Sequence, residues 1–566
     1  MLSAYSDRTL VLINGRDAMN SMFGAPDWAN LPVMIEDIER IEVLRGPGGA
    51  VWGANAFTGV INIITKKPED TAGGLMRSKV TEYGDSYTQL RYGESGKKLS
   101  WRASAGYEDI KSADEAGAGR MHSAYPSLNG AMGFSSFQAG NFARLWRFDN
   151  DFAYKHDEDT RFAFGTGHTS STLGERDFVG ELPRENGLAE TTRLYSRVEH
   201  SFDPDTTASL QWFGNYSVIH APEMLERYSY YENDLDGQLQ FSVFDKHHLT
   251  IGSNLRWNHL GNENGSAANE LTFTEGSYDE YWAGIYMVDR YPLSDRLTLE
   301  SQGRLDRYNV SGTDWSMRMA ALYALDEEKN HILRVGVARS FRAPTLMIRE
   351  TRRTGLGGMF NIIANPKELR NESTYSVEAG YEGRLSDRVR LSVNSYYQRM
   401  EEVLGAVTVT TGVSNSWFAN HDGANAYGGE LEISYRGDKH GISGWYAYNE
   451  LVTDKSDLNI RAYLPATQKV GMRYHYRIEE NMSLQANFVY NDALNVNNSA
   501  SPAWDAPYFD RLDLMLSRQI PAEHMEIQLG VHDVFNGTVG PTYDISNFTS
   551  YETPGRTFFL SLSKRF

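Results

Sequence analysis

The chain has 566 residues, a formal net charge of -19, no Cys, 40% hydrophobic and 12% aromatic residues, and a mean hydropathy of -0.50. That polarity, with no run near the roughly 18 apolar residues that a spanning helix needs, excludes a helical membrane bundle, and the acidic balance argues against nucleic acid as a partner. Disulfides, thiolate metal sites and cysteine nucleophiles are excluded too, whereas 51 Gly and 33 Tyr with no linker-like stretch suit one large β-barrel, whose strands need only alternate apolar with polar residues.

In chain order, the start MLSAYSDRTLVLING has neither the basic n-region nor the apolar h-region of an export signal, so the expectation is a sequence that lacks the first part of its N-terminal domain. Residues 1 to about 70 read as short strands and a Gly-rich turn: TLVLING (9–15), IERIEVLRG (38–46), GPGGAVWGANAFTG (46–59) and GVINIITKK (59–67). A strand followed by Gly46-x-Gly48 could open a dinucleotide site. The third glycine of that fingerprint falls on Val51, however, and neither a helix nor an acidic strand end follows. The glycines are read instead as tight turns passing close to a wall.

From about residue 75 the two-residue period is nearly continuous. Val389, Leu391, Val393 and Tyr397 alternate against Arg390, Ser392, Asn394 and Gln398; at the end, Phe558, Leu560, Leu562 and Phe566 share one face and Thr557, Phe559, Ser561, Ser563 and Arg565 the other. Short polar turns (94–98, 157–160, 203–206, 293–296, 385–388, 521–524) alternate with long irregular stretches near 109–143, 170–190, 259–278, 341–371, 402–424 and 536–555. Short turns on one rim and long loops on the other are the plan of an outer-membrane barrel. The spacing predicts roughly 22 strands of about 9 to 14 residues over 71–566. A barrel that wide has to be plugged, which makes 1–70 the plug.

Here a resemblance becomes specific. The run Glu36-Asp37-Ile38-Glu39-Arg40-Ile41-Glu42-Val43-Leu44-Arg45-Gly46-Pro47, then Trp52-Gly53-Ala54-Asn55-Ala56 and Gly59-Val60-Ile61-Asn62-Ile63-Ile64-Thr65, resembles the second half of the plug of TonB-dependent outer-membrane receptors of the siderophore or iron-complex type. With the barrel pattern behind it, the resemblance covers essentially the whole chain. It implies an all-β membrane protein, an antiparallel transmembrane barrel of about 22 strands with a partial N-terminal plug in the lumen, located in a Gram-negative outer membrane. The implied activity is active uptake of a scarce ligand, a ferric siderophore first, with cobalamin or haem as alternatives. The implied energy source is the TonB-ExbB-ExbD complex. No TonB box precedes the plug segment, so an uncoupled passive pore or a surface receptor is a further alternative.

Ser340-Phe341-Arg342-Ala343-Pro344, and downstream Asn365-Pro366 with Glu372, resemble the paired boxes that flank an outer loop in siderophore and haem receptors. Haem receptors carry a ligand histidine between the boxes, and residues 345–364 contain none, which weakens the haem reading. The same loop gathers Arg349, Arg352, Arg353, Lys367 and Arg370, a basic cluster suited to an anionic ferric chelate. Its bland alternative is a solvated loop or one touching lipopolysaccharide phosphates. Trp315, Trp417, Phe418 and Trp504 could face a catecholate, but the interfacial girdle is the preferred reading.

Alternation also sorts the carboxylates. With Tyr375, Val377, Ala379 and Tyr381 outward, Glu378 and Glu382 face the lumen; with Leu431, Ile433 and Tyr435 outward, Glu430 and Glu432 do. The resemblance implies that Glu378 and Glu430 latch the plug through Arg45 or Arg40, a second arginine lying upstream; otherwise these groups simply line wet space. Phe566 resembles the terminal signal read by the barrel assembly machinery, or is an interfacial anchor. Catalytic and metal-binding constellations are not found: the 14 His are scattered, His247-His248 reads as a turn, no HExxH occurs, and Glu401-Glu402 defines no cleft. Neither an enzyme nor a cofactor is expected.

Overall fold

An apolar residue at every second position gives a strand one face for lipid and one for water, and hydrogen bonding to both neighbours leaves no backbone group unpaired in the membrane. In the computed structural model this rule produces a closed antiparallel barrel of 22 strands, sequential neighbours pairing throughout, with Thr557–Arg565 closing on Gly73–Thr81. The structure describes residues 8–22, 24–26, 28–111, 143–173, 187–221, 225–244, 246–262, 271–355, 360–363, 369–410, 414–454, 467–492, 494–496, 504–506, 508–537, 539–544, 549–552 and 555–566.

Register carries the apolar face from strand to strand. Leu484 lies opposite Leu516, Leu516 opposite Leu529, Leu529 opposite Leu560, and Leu560 opposite Val80, so one aliphatic row crosses the closing seam on the lipid side. Thr557, Phe559 and Ser561 are buried on the other face, while Phe558, Leu560 and Leu562 are exposed to lipid. A one-residue slip would exchange the two sets.

Three expectations need correcting. Barrel strands run from 8 residues (Met525–His532) to 19 (Leu225–Val243), because pairing in the sector Gly187–Asp203 to Ser277–Pro292 continues beyond the apolar band into Tyr-rich extensions. The alternation of rims is also not strict: the outer connections at 82–85 and 309–311 are tight. His247 and His248 open the strand His247–Asn262 rather than forming the turn, and His247 meets Asp289 at 2.7 Å.

The plug sheet is 4-stranded, in the order Arg16–Asp17, Thr9–Ile13, Gly59–Thr65, Ile38–Arg45. Thr9–Ile13 runs parallel to Gly59–Thr65, pairing Leu10 with Val60 and Ile13 with Ile63. These two β-rich strands bury Leu10, Val11, Leu12, Ile13, Val60 and Ile63 together with Met19, Leu31 and Ala56. At about 1.5–3 kcal/mol per large aliphatic side chain, this small core is what holds the plug's own shape. A single helical turn, Gly49–Trp52, where the sequence suggested no helix, packs against the strands Leu297–Tyr308, Gly312–Ala324 and His331–Arg342. Only glycine fits there: a Cβ on Gly49 would collide with the hydroxyls of Ser316 and Ser340.

On the outer side, loop strands Leu271–Phe273, Thr351–Gly355, Phe360–Ile363, Ser414–His421 and Val403–Thr410 join in a 5-stranded sheet that knits three loops together. Two apolar contacts dock these loops on the plug. Met22 packs among Tyr228, Leu260, Leu346 and Met347, with Met347 N–H donating to Met22 O at 3.0 Å, and Phe57 packs against Met400, Val403 and Ala424.

Candidate functional site

The seam between plug and wall is rich in paired charge, because plug loops present backbone carbonyls to a lumen where little water reaches them. Five wall arginines answer with the same arrangement. Arg91 donates to Glu36 O at 3.2 Å, Arg102 to Lys66 O at 2.7 Å, Arg147 to Leu31 O at 3.1 Å, Arg304 to Val51 O at 3.4 Å and Arg318 to Pro47 O at 3.3 Å. Each is also held by a carboxylate: Arg91 by Asp37, Arg102 by Asp151, Arg147 by Glu108, Arg304 by Asp306 and Arg318 by Glu378. Guanidinium suits the task, since its five donors can serve a carboxylate and a carbonyl at once while its charge stays compensated.

Plug carboxylates cross the seam the other way. Glu36 pairs with Arg77, and Asp17 with Arg256, which Asp234 also holds. Ser21 donates to Glu232, and Asn258 donates to Ser21 Oγ at 2.9 Å. Lys66 donates to Glu36 O at 2.7 Å; burial, reinforced by Arg91, pulls its ammonium below the ordinary lysine value.

One enclosed link joins Arg8 to Glu372 and Arg342, which the sequence marks only as parts of the two outer-loop boxes. Glu372, 0% exposed, joins Arg8 of the plug at 2.8 Å and Arg342 of the wall, and accepts the backbone N–H of Leu404 at 2.7 Å. Glu372 and Arg342 are register partners, so the two outer-loop boxes close into a single ion pair. Two-residue spacing on the lumen face signals pairs such as Arg304 and Asp306, but it does not reach Glu372, whose partners Arg342 and Arg8 are distant in sequence.

Of the residues proposed as a latch, Arg45 meets Glu430, their side chains 62% and 30% exposed. Arg40 does not reach the wall. It is exposed and spent within the plug, on Glu39 at 3.0 Å and Glu42 at 2.8 Å. Glu378 belongs to Arg318 at 2.8 Å and lies directly beneath Gly46, which has φ +82 and whose Cβ, if present, would strike the carboxylate. Glu382 and Glu432 are exposed.

The basic loop is also divided. Arg349 is buried, bound to Glu280 and to Glu350 at 3.2 Å, with Nε donating to Pro344 O at 3.1 Å, so it holds the turn Leu346–Glu350 rather than facing a ligand. Arg352 and Arg353 lie on the loop strand Thr351–Gly355, and Arg370 is exposed beside Glu402 at 2.9 Å. Lys367, Asn365 and Pro366 lie outside the described residues. Trp315 faces outward with Arg339 4.3 Å over its ring, and Trp417 and Phe418 are half-buried in Ser414–His421. Trp504 lies on Trp504–Ala506, its side chain outside the described residues. Phe566 exchanges backbone hydrogen bonds with Gly74, 2.6 and 3.1 Å long. Among the described residues no group of three or more His, Asp or Glu stands ready to hold a metal ion.

A luminal plug ion-paired to a closed barrel wall is the arrangement against which known proteins can be compared. Residues 106–534 match the family "TonB dependent receptor-like, beta-barrel", and residues 2–60 match "TonB-dependent Receptor Plug Domain". The chain belongs to the TonB-dependent receptors. Solved structures share the fold of this receptor at low identity. The ferric enterobactin receptor PfeA of Pseudomonas aeruginosa, solved as a mutant with enterobactin, aligns with TM-score 0.80 at 16% identity over 100% of this chain and 93% of that one. The siderophore receptor PirA of Acinetobacter baumannii gives 0.78 at 15% over 100% and 92%, and the ferric-catecholate import receptor Fiu of E. coli gives 0.75 at 14% over 100% and 90%. The family and fold are those of transport receptors rather than enzymes, and such barrels are characteristic of Gram-negative outer membranes.

Proposed function

We propose that this receptor takes up a ferric siderophore across a Gram-negative outer membrane, with the TonB-ExbB-ExbD complex supplying the work that rearranges the plug. The observation that carries the reading is the plug itself, tied to the wall by buried charge and covered by docked outer loops. Such a seat has to be loosened before a solute passes, and loosening a buried ion pair costs about 3–5 kcal/mol. The siderophore assignment is supported by the solved neighbours, whose names specify ferric enterobactin and ferric catecholate.

In this reading Arg352, Arg353, Lys367 and Arg370 draw an anionic chelate to the outer loops, which also meet lipopolysaccharide. Arg45 with Glu430, and Glu378 beneath Gly46, belong to the latch, and Phe566 addresses the barrel assembly machinery. Growth of a deletion strain on a panel of ferric chelates under iron limitation tests the proposal; unimpaired growth on every chelate overturns it. Liposome swelling in small sugars tests the passive-pore alternative, since rapid swelling with the intact chain would favour a pore.

A further inference from the structure

Where the plug turn at 16–20 meets the strands Gly187–Asp203, Thr206–Ala221 and Leu225–Val243, packing is incomplete. A cavity of about 60 Å³ remains, lined by Arg16, Asn30, Thr191, Arg193, Asn215 and Ser217 among others. Two of these residues are cations from opposite sides of the seam, Arg16 from the plug and Arg193 from the wall, each 6% exposed.

Neither guanidinium has used all its donors. Arg16 Nε donates to Ile13 O at 3.2 Å and its Cζ lies 3.9 Å over the ring of Tyr195, but among the described residues no carboxylate pairs with it. Arg193 gives one terminal nitrogen to Asp149 at 2.6 Å, while its Nε is buried without a partner. Burial first, and then the nearby charge of Arg193, pull the Arg16 value down to about 10, with Asp151 and Asp149, which do not contact it, offsetting this only in part. The two carboxylates that also line the cavity have other partners: Asp17 binds Arg256, and Glu232 accepts from Ser21 and from Asn215 at 3.0 Å.

A buried cation lacking a counterion is costly, and water cannot cancel its charge. The cavity has room for a handful of water-sized bodies at roughly 10–15 Å³ each, which suits one small ion and excludes a chelate or a lipid headgroup. We infer that this cavity binds a small, halide-sized inorganic anion bridging Arg16 and Arg193. The hydroxyls of Thr191 and Ser217, hydrogen-bonded to each other at 2.9 Å, and the amide of Asn30, which donates to Thr191 Oγ1 at 3.4 Å, complete a polar lining. The anion completes the charge balance across this stretch of seam, so the turn at 16–20 is pinned to the wall by a removable ion as well as by the protein's own carboxylates. Nothing in this depends on which ligand the receptor transports.

Bromide is the probe. Crystals of the intact chain grown with bromide in place of chloride, measured at the bromine edge, should show an anomalous peak between the two guanidinium groups. The peak should vanish in Arg16→Met while other bromide peaks persist. An empty site in the wild type beside occupied bromide sites elsewhere, or an unchanged peak in Arg16→Met, overturns the inference in favour of water alone. A second measurement needs no variant: proteolytic nicking of the plug should be several-fold slower in bromide than in gluconate at equal ionic strength, and equal rates would overturn the pin.

Discussion

Arg8 of the plug and Glu372 of the barrel wall form an ion pair 2.8 Å long whose carboxylate is fully enclosed and shared with Arg342. Removing the carboxylate would take from Arg8 and from the buried Arg342 the anion they share. Glu372→Ala should therefore loosen the plug by about 3–5 kcal/mol. Arg45→Ala, which breaks a half-exposed pair with Glu430, should cost below about 1 kcal/mol. Urea titration of plug accessibility to protease separates the two; equal midpoints for both variants would refute the ranking.

Gly46→Ala tests the close approach of plug to wall. Its φ of +82 makes any side chain strained, by about 1–3 kcal/mol, and the added methyl meets the Glu378 carboxylate that Arg318 holds in place. Gly303→Ala is the control, since nothing lies within 4 Å of its Cβ. Transport should fall and plug nicking rise in the first variant alone. Similar behaviour of the two would mean that the contact with Glu378 does not govern seating.

How far these residues were legible in the sequence depended on whether a local rule placed them. Alternation put Glu378 and Glu430 in the lumen, and the plug run Glu36 to Thr65 located the strands that carry Arg45 and Gly46. It could not say which carboxylate takes which arginine, because that depends on how the plug sits in the barrel. Arg45 lies against Glu430, Arg40 stays within the plug, and Glu378 belongs to Arg318. Arg349 looked like an exposed loop cation because its partner, Glu280, is far off in sequence. Arg8 gave no signal at all, being one basic residue in a short polar stretch.

Arg349 and its neighbours should accordingly separate by phenotype. Arg349→Ala leaves Glu280 and Glu350 without their shared cation and should destabilise the turn Leu346–Glu350, with little change in chelate affinity once the protein is folded. Arg352→Ala and Arg353→Ala should leave melting unchanged and weaken binding of an anionic ferric chelate on the order of tenfold, the worth of one charged hydrogen bond. Quenching titrations beside melting curves decide it. Arg352 and Arg353 variants with wild-type affinity would remove them from the ligand site.

The short-turn rim should respond to acid through Asp326. Desolvation raises its carboxyl, but the backbone N–H groups of His331 at 2.9 Å and Asn330 at 3.1 Å more than offset this and hold it below the ordinary value. A depressed carboxylate contributes stability above its unfolded value and loses it as pH falls through the folded one. The melting difference between wild type and Asp326→Asn should therefore shrink from about pH 6 to about pH 3. A constant difference across that range would mean that the turn's carboxylate is not coupled to folding.

Under the proposed function Phe566 has two roles, in closing the ladder and in assembly, that substitution can separate. Its backbone extends the closing ladder past Thr557–Arg565: its N–H donates to Gly74 O at 3.1 Å and its carbonyl accepts from Gly74 N–H at 2.6 Å. Its ring lies over Gly74, where a Cβ would collide with it. Deleting Phe566 removes both bonds, about 0.5–1.5 kcal/mol each, at the seam that closes the barrel, whereas Phe566→Ala keeps them and removes only the ring. Deletion should thus lower the yield of heat-modifiable, folded barrel even when pure chain refolds in detergent. Phe566→Ala should refold normally there and accumulate poorly in the membrane of living cells, because only the cell has machinery to recognise the ring. Gly74→Ala provides the cross-check, since it displaces the ring while leaving Phe566 in the sequence. Normal accumulation of Phe566→Ala in cells would reduce the residue to a structural end-stop, and the assembly role would then have to be sought in the alternating pattern of the strand before it.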